Sequence, residues 1–279
     1  MSAELFLDGF GFVEGPRWRD NRLWFSDFIL QRVSSVDLGG DARVEAELDD
    51  WPSGLGWLPD GRLLIVSMHR KLLLRREHGG KLVVHADLSR IAAGPANDMV
   101  VAQDGTAYVG NLGSDLLAGE PVRAAKLAVV HPDGSVSVGA AGLLVPNGSV
   151  ITPDGDTLIV GESFAHRYRA FPIARDGTLG EGRIWADLGE GRNPDGCTLD
   201  AAGAIWFANP VANHVARVVE GGTVTEVVEV PDIPWACALG GDAGRTLFVL
   251  TCPGGPTEVE PGSARVWKTE VEFPHAGLP

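Results

Sequence analysis

Apolar and polar positions along this chain fall into a short repeating phrase: an apolar stretch, a turn of the Pro-Asp-Gly type, and a second β-rich run. The clearest copies are Ser53-Gly-Leu-Gly-Trp-Leu-Pro-Asp-Gly-Arg-Leu-Leu-Ile-Val-Ser and Asn147-Gly-Ser-Val-Ile-Thr-Pro-Asp-Gly-Asp-Thr-Leu-Ile-Val-Gly. Looser copies begin at Glu14, Asn97, Asp195 and Ala236, so the starts lie roughly 40 to 50 residues apart. Asp-Gly supplies the positive-φ position that a tight reversal needs, which makes each copy a strand-turn-strand unit. Second hairpins of the same kind lie between the copies, among them Lys71–His85, Leu127–Val138 and Val215–Val227. Two hairpins per repeat predict four antiparallel strands per blade and six blades, an all-β six-bladed β-propeller occupying residues 1–279 as a single domain. The opening Glu4-Leu-Phe-Leu and the late Arg265-Val-Trp-Lys-Thr-Glu-Val are expected to pair and close the ring. Alternating charges at Lys268, Glu270 and Glu272 suit a solvated outer strand.

A propeller gathers its innermost strands around a central channel, so equivalent first residues of those strands meet at one end of the axis. Four of the lead residues carry side-chain oxygens: Glu14, Asn97, Asn147 and Asp195. Two carboxylates and two amides on one axis make an oxygen-only site of charge −2, suited to one hard divalent cation. Calcium is the first choice, with manganese, zinc, magnesium or iron as substitutes. Without a cation, Glu14 and Asp195 would repel each other in a partly desolvated funnel. On the alternative reading the amides satisfy turn hydrogen bonds and the carboxylates face water. Two segments break the repeat, Arg90–Ala96 and Gly113–Lys126, and both read as loops bracketing the third copy.

Charge and composition narrow the partners. The formal net charge is −14 with 23 basic residues, and no Lys/Arg cluster is present to neutralise phosphates. A small-molecule substrate is therefore expected, with no nucleic-acid or membrane partner, on a monomer or weak homo-oligomer. Three scattered cysteines, Cys197, Cys237 and Cys252, form neither a disulfide framework nor CxxC metal spacing, and fit a reducing cytoplasm. No charged start with an apolar run opens the chain, and no stretch is apolar over the roughly 20 residues a membrane span needs.

The combination Phe12-Val-Glu-Gly-Pro-Arg-Trp, Asn97-Asp98, Pro146-Asn-Gly, Pro194-Asp-Gly and Ala238-Leu-Gly-Gly resembles the SMP-30/gluconolactonase/LRE family over almost the whole chain. Members are six-bladed propellers that hydrolyse lactones and related esters. The resemblance implies that Glu14, Asn147 and Asp195 bind one divalent metal, that Asn97 reaches the metal or the substrate beside it, and that Asp195 is the general base. A metal would polarise the lactone carbonyl and lower the pKa of a water, whose proton Asp195 would accept. Sugar-lactone members of the family carry Arg two residues before the Asn-Asp pair, where this chain has Pro95.

Residues following the second strand of each copy include Phe28, Met68, His69, Leu112, Phe164 and Pro210, with Trp51 and Trp235 just before two inner strands. Phe28, His69, Leu112, Phe164 and Trp235, together with Asn97, are the candidate substrate contacts. That rim is largely apolar and points to a less hydroxylated lactone or ester. Histidines 166 and 214 read as solvated rim residues, Cys197 as a packing residue, and Asp98 as a partner that orients its neighbours. Ser163 lacks the Gly-x-Ser-x-Gly elbow. The tryptophans fit packing between blades, and no nucleotide motif is present. The rival functions are a phosphotriesterase-like hydrolase using the same metal funnel, and a non-catalytic ligand-binding propeller stapled by its cation.

Overall fold

The computed structural model describes residues 3–279; residues 1 and 2 of the expected domain lie outside them. Blade I is β2 (Val13–Arg19), β3 (Arg22–Asp27), β4 (Arg32–Asp37) and β5 (Ala42–Glu47), after the leading strand β1 (Glu4–Phe10). Blade II is β6 (Pro52–Trp57), β7 (Leu63–Ser67), β8 (Leu72–Arg76) and β9 (Leu82–Asp87). Blade III follows with β10 (Ala96–Val101), β11 (Ala107–Asn111), β12 (Ala124–Val130) and β13 (Val136–Leu144), and blade IV with β14 (Pro146–Ile151), β15 (Thr157–Glu162), β16 (Arg167–Pro172) and β17 (Arg183–Asp187). Blade V comprises β18 (Cys197–Leu199), β19 (Ile205–Asn209), β20 (His214–Val218) and β21 (Val224–Glu229). Blade VI comprises β22 (Ile233–Gly240), β23 (Thr246–Cys252) and β24 (Ala264–Glu270), with β1 as its fourth strand. The chain is thus a six-bladed β-propeller of four-stranded antiparallel sheets. It closes as the sequence predicts, through pairing of β1 with β24 in the register Glu4 with Lys268 and Phe10 with Ala264.

The apolar runs are uninterrupted because each sheet is buried on both faces. In β7, alternate side chains serve different cores: Leu63 and Ile65 pack with Val33 and Leu55 between blades I and II. Leu64 and Val66 pack with Met99 and Val109 between blades II and III. The other four buried clusters fill the remaining interfaces in the same way, between blades III and IV, IV and V, V and VI, and VI and I. The turns match the sequence signals. At Pro59-Asp60-Gly61, Gly61 takes φ +84 and its N–H returns to the Leu58 carbonyl at 2.9 Å.

Every innermost strand but the short β18 breaks register just after its lead residue, between Glu14 and Arg17, Pro52 and Leu55, Ala96 and Met99, Pro146 and Ser149, and Pro234 and Ala236. The irregularity turns the lead side chains toward the axis. It also shifts the sixth lead position from Ala236, where the repeat pattern sets it, to Trp235, which lies inside β22 rather than before it. Neighbouring inner strands then approach backbone to backbone. A Cβ on Gly148 would collide with the Asp195 carbonyl oxygen and lie 2.8 Å from the Cys197 nitrogen.

Of the two expected loops, Arg90–Pro95 is irregular, and the second holds a single 3-10 turn at Leu116–Ala118 before β12 begins at Ala124. At the far end of the channel, the C-terminal tail runs across three blades. His275 N bonds the Gly244 carbonyl at 2.7 Å, Ala276 N the Leu199 carbonyl at 3.0 Å, and Leu278 pairs both ways with Ile151. Among the described residues no helix is long and apolar enough to cross a membrane.

Replacing Gly148 by alanine should destabilise the protein by about 2 kcal/mol or more, because backbone on the neighbouring blade has to move. Gly79, whose Cβ would meet nothing within 4 Å, should accept alanine almost without cost. Denaturant midpoints of the two variants check the contrast.

Candidate active site

The six lead positions ring the end of the channel opposite the tail: Glu14, Ser53, Asn97, Asn147, Asp195 and Trp235. Hydrogen bonds link them in one direction. The Ser53 hydroxyl donates to Asn97 Oδ1 at 3.1 Å, and Asn97 Nδ2 donates to Asn147 Oδ1 at 3.3 Å. Asn147 Nδ2 then donates to Ser163 Oγ at 3.3 Å and to the Asp195 carboxylate. Ser163 in turn donates to the Pro194 carbonyl at 2.7 Å. Glu14 completes the arc, with Oε2 accepting the Gly15 N–H at 2.8 Å. Glu14, Asn147 and Asp195 are buried, and Asn97 partly so. The four oxygen-bearing leads therefore converge, against the alternative of separate turn and solvent roles.

Burial, the charge of Asp195 and that of Asp98 push the Glu14 carboxyl well above the ordinary carboxylate range. Burial above all, with the Asp98 charge, raises Asp195 to about 7, opposed by hydrogen bonds from Asn147 and the Gly196 N–H. The neighbouring cation is already committed. Arg17 pairs with Asp98 at 2.7 Å, both buried, and donates to the backbone carbonyls of Pro16, Leu55 and Met99. Three carboxylates thus face one guanidinium, leaving a deficit of two positive charges, which a divalent cation matches.

The donor chemistry fits as well, since each amide oxygen keeps a second lone pair beside its hydrogen bond. No group of three or more His, Cys, Asp or Glu gathers in a metal-holding arrangement among the described residues, so an ion here would need oxygen ligands beyond the carboxylates, and the amides of Asn97 and Asn147 stand beside them.

Above this floor opens a cavity of about 420 Å³. Phe28, Leu112, Phe164 and Trp235 line it, as do Met68 and Pro210. The indole N–H of Trp235 is buried without a hydrogen-bond acceptor. His69 is not part of the wall. Its Nδ1 meets Asp50 at 2.9 Å, and its ring packs on Trp51 at 4.9 Å, while Trp51 stacks on Phe28 at 5.4 Å. Two aromatic rings therefore separate it from the cavity.

Sequence reasoning missed Leu116, Leu117, Val145, Asn193, Val211, Ile233 and Pro256, which also line the cavity. The apolar pair Leu116-Leu117 inside an otherwise loop-like segment was the signal available for two of them. Cys197 lies in the core between blades IV and V, with its thiol pushed up to about 12 by burial, so it is not poised as a nucleophile.

The sequence profile of the SMP-30/Gluconolactonase/LRE-like region matches residues 12–253. The chain belongs to this family. Among its curated relatives is a 6-deoxy-6-sulfogluconolactonase from Pseudomonas putida, 25% identical over 95% of this chain and 93% of that protein. A pentonolactonase from Haloferax volcanii is 28% identical over 86% of this chain and 81% of its own length. The crystal structure of a calcium-binding protein, regucalcin, from Agrobacterium tumefaciens superposes with a TM-score of 0.84 at 22% identity, covering 100% of this chain and 97% of that one. That likeness fixes the fold of this SMP-30/gluconolactonase/LRE-like chain.

The buried carboxylates give a pH signature to the metal-free protein. The folded state holds a proton on Asp195 at pH values where the unfolded chain has released it. The stability this contributes is fully present below about pH 4 and is lost as pH rises through about 7. Metal-free Asp195→Asn should therefore melt several degrees above wild type at pH 8 and together with it near pH 4. Calcium should reverse the order at pH 8. Calorimetric melting curves with and without chelator check all three.

Proposed function

We propose that this protein hydrolyses a lactone or closely related ester with the help of one divalent cation held by Glu14, Asn97, Asn147 and Asp195. The carrying observation is the buried, electrically unbalanced oxygen cluster at the floor of a small-molecule cavity, in a chain whose curated relatives are named as lactonases. When bound, the cation would balance the two carboxylates and supply electrophilic polarisation to the substrate carbonyl.

The chain's own groups account for the remaining steps. Asp195, through a carboxylate oxygen not committed to the cation, would take a proton from the attacking water. As the water oxygen adds to the carbonyl carbon and the ring C–O bond breaks, the same carboxyl returns the proton to the departing alkoxide, so that one water is consumed and one hydroxy acid released. Asn147 orients Asp195 through its amide N–H, and the Ser163 and Pro194 contacts hold Asn147 in turn. The Trp235 ring lines the cavity and offers apolar surface to the substrate, while its N–H is shut inside the protein.

Chelator-stripped protein should be silent on γ- and δ-lactones and recover with calcium, manganese or another oxygen-preferring divalent ion. Asp195→Asn should lower kcat by about 100-fold or more, and Glu14→Gln should weaken ion binding in calorimetry. Turnover of phosphotriesters but not lactones would redirect the reaction class. Ion binding without turnover of any lactone, ester or phosphotriester would leave a ligand-binding propeller.

A further inference from the structure

Every blade contributes an apolar side chain to the cavity above the acidic floor. They include Phe28 from blade I, Met68 from blade II, Leu112 from blade III, Phe164 from blade IV, Val211 from blade V and Ile233 from blade VI. No Lys, Arg or His lines it. The polar lining is confined to Glu14, Asn97, Asn147, Ser163, Asn193 and Asp195. Of these, Asn97, Asn147 and Ser163 are occupied by the hydrogen-bond chain around the axis.

The mouth has the same character, with Phe164 exposed at 47% and Val211 at 56%. Two ring contacts stiffen one wall: Phe12 lies 5.0 Å from Phe28 and 5.2 Å from Trp235. Pro95 is buried, and its carbonyl accepts the Leu112 N–H at 3.0 Å, so this loop supplies no polar side chain to the cavity.

A polyhydroxylated substrate would strip water from its hydroxyls without finding partners on these walls. An anionic one would meet two carboxylates and no basic side chain, the one positive charge at the floor being the cation that this pair already balances. We infer that the substrate is a neutral lactone bearing an alkyl or aryl substituent, its ring oxygens at the floor and its substituent against the walls of all six blades. This inference rests on the lactone-hydrolase reading for the reaction, whereas the binding preference stands by itself.

The test pairs turnover with binding. Loaded protein is assayed for kcat/KM on δ-lactones whose side chain grows from ethyl to hexyl, with glucono-δ-lactone for comparison. Binding of the matching δ-lactams, which resist hydrolysis, is followed by tryptophan fluorescence or calorimetry. Each added methylene buried against the wall should improve kcat/KM and lactam affinity about threefold to fourfold, and the ethyl-to-hexyl series should gain about 100-fold. Glucono-δ-lactone should be the poorest substrate.

The double variant Leu116→Asn/Phe164→Ser should flatten the dependence on chain length. Turnover that is fastest on glucono-δ-lactone, or flat along the series, overturns the inference while leaving lactone hydrolysis standing. Lactam affinity that climbs with chain length while no lactone is hydrolysed sustains the apolar site and removes the reaction. A steep dependence that survives the double variant overturns the assignment of the wall.

Discussion

The structure depends on a requirement of its sheets: each blade has two apolar faces and cannot bury either alone. In β7, Leu63 and Ile65 need blade I while Leu64 and Val66 need blade III. Repeated six times, that need has no solution in an open stack, whose end faces would stay wet, but closes in a ring of six interblade cores. Pairing of β1 with β24 locks the ring. Everything at the axis follows, because closing the ring brings six inner strands to one channel and leaves each lead residue facing the others. Glycines follow four of those leads, Gly15, Gly54, Gly148 and Gly196, and let neighbouring backbones approach closely; hydrogen bonds of 3.1 and 3.3 Å run from Ser53 through Asn97 to Asn147.

The same closure creates an electrostatic problem. Glu14, Asp98 and Asp195 come from sequence positions far apart and have no mutual attraction, yet the ring holds them together. Arg17 answers one of the three and, by reaching carbonyls of blades II and III, ties that end of the channel across blade boundaries. A buried guanidinium with its partner removed would be costly, which is why Arg17 and Asp98 are paired at 2.7 Å. The other two, Glu14 and Asp195, stay without a basic partner among the described residues, and burial and the Asp98 charge raise the pKa of both.

Much of this was legible in the sequence because a repeat converts one-dimensional spacing into geometry. The turn phrase fixed strand order, blade number and the convergence of Glu14, Asn97, Asn147 and Asp195. What escaped was set by contacts with no repeat signature. Trp235 replaces Ala236 at the sixth lead position because of a local register break in β22. The Arg17–Asp98 pair spans 81 residues and is invisible without the ring. His69 resembled a rim contact by position alone, but the pull of Asp50 and the stack of Trp51 on Phe28 keep it behind the wall. Leu116 and Leu117 belong to an irregular connection, where neither period two nor period 3.6 applies.

The tail from His275 to Leu278 lies against blades IV, V and VI at the end of the channel away from the cavity. The last residues thus strap three blades together at the face opposite the cavity. The other face, where Phe164 and Val211 are exposed beside the cavity, carries no such strap among the described residues. On the reading proposed above, the carboxylate formed by opening a lactone carries the same sign as Glu14 and Asp195 and the opposite sign to the cation they would hold, so the ease of its departure depends on how fully that pair already balances the ion.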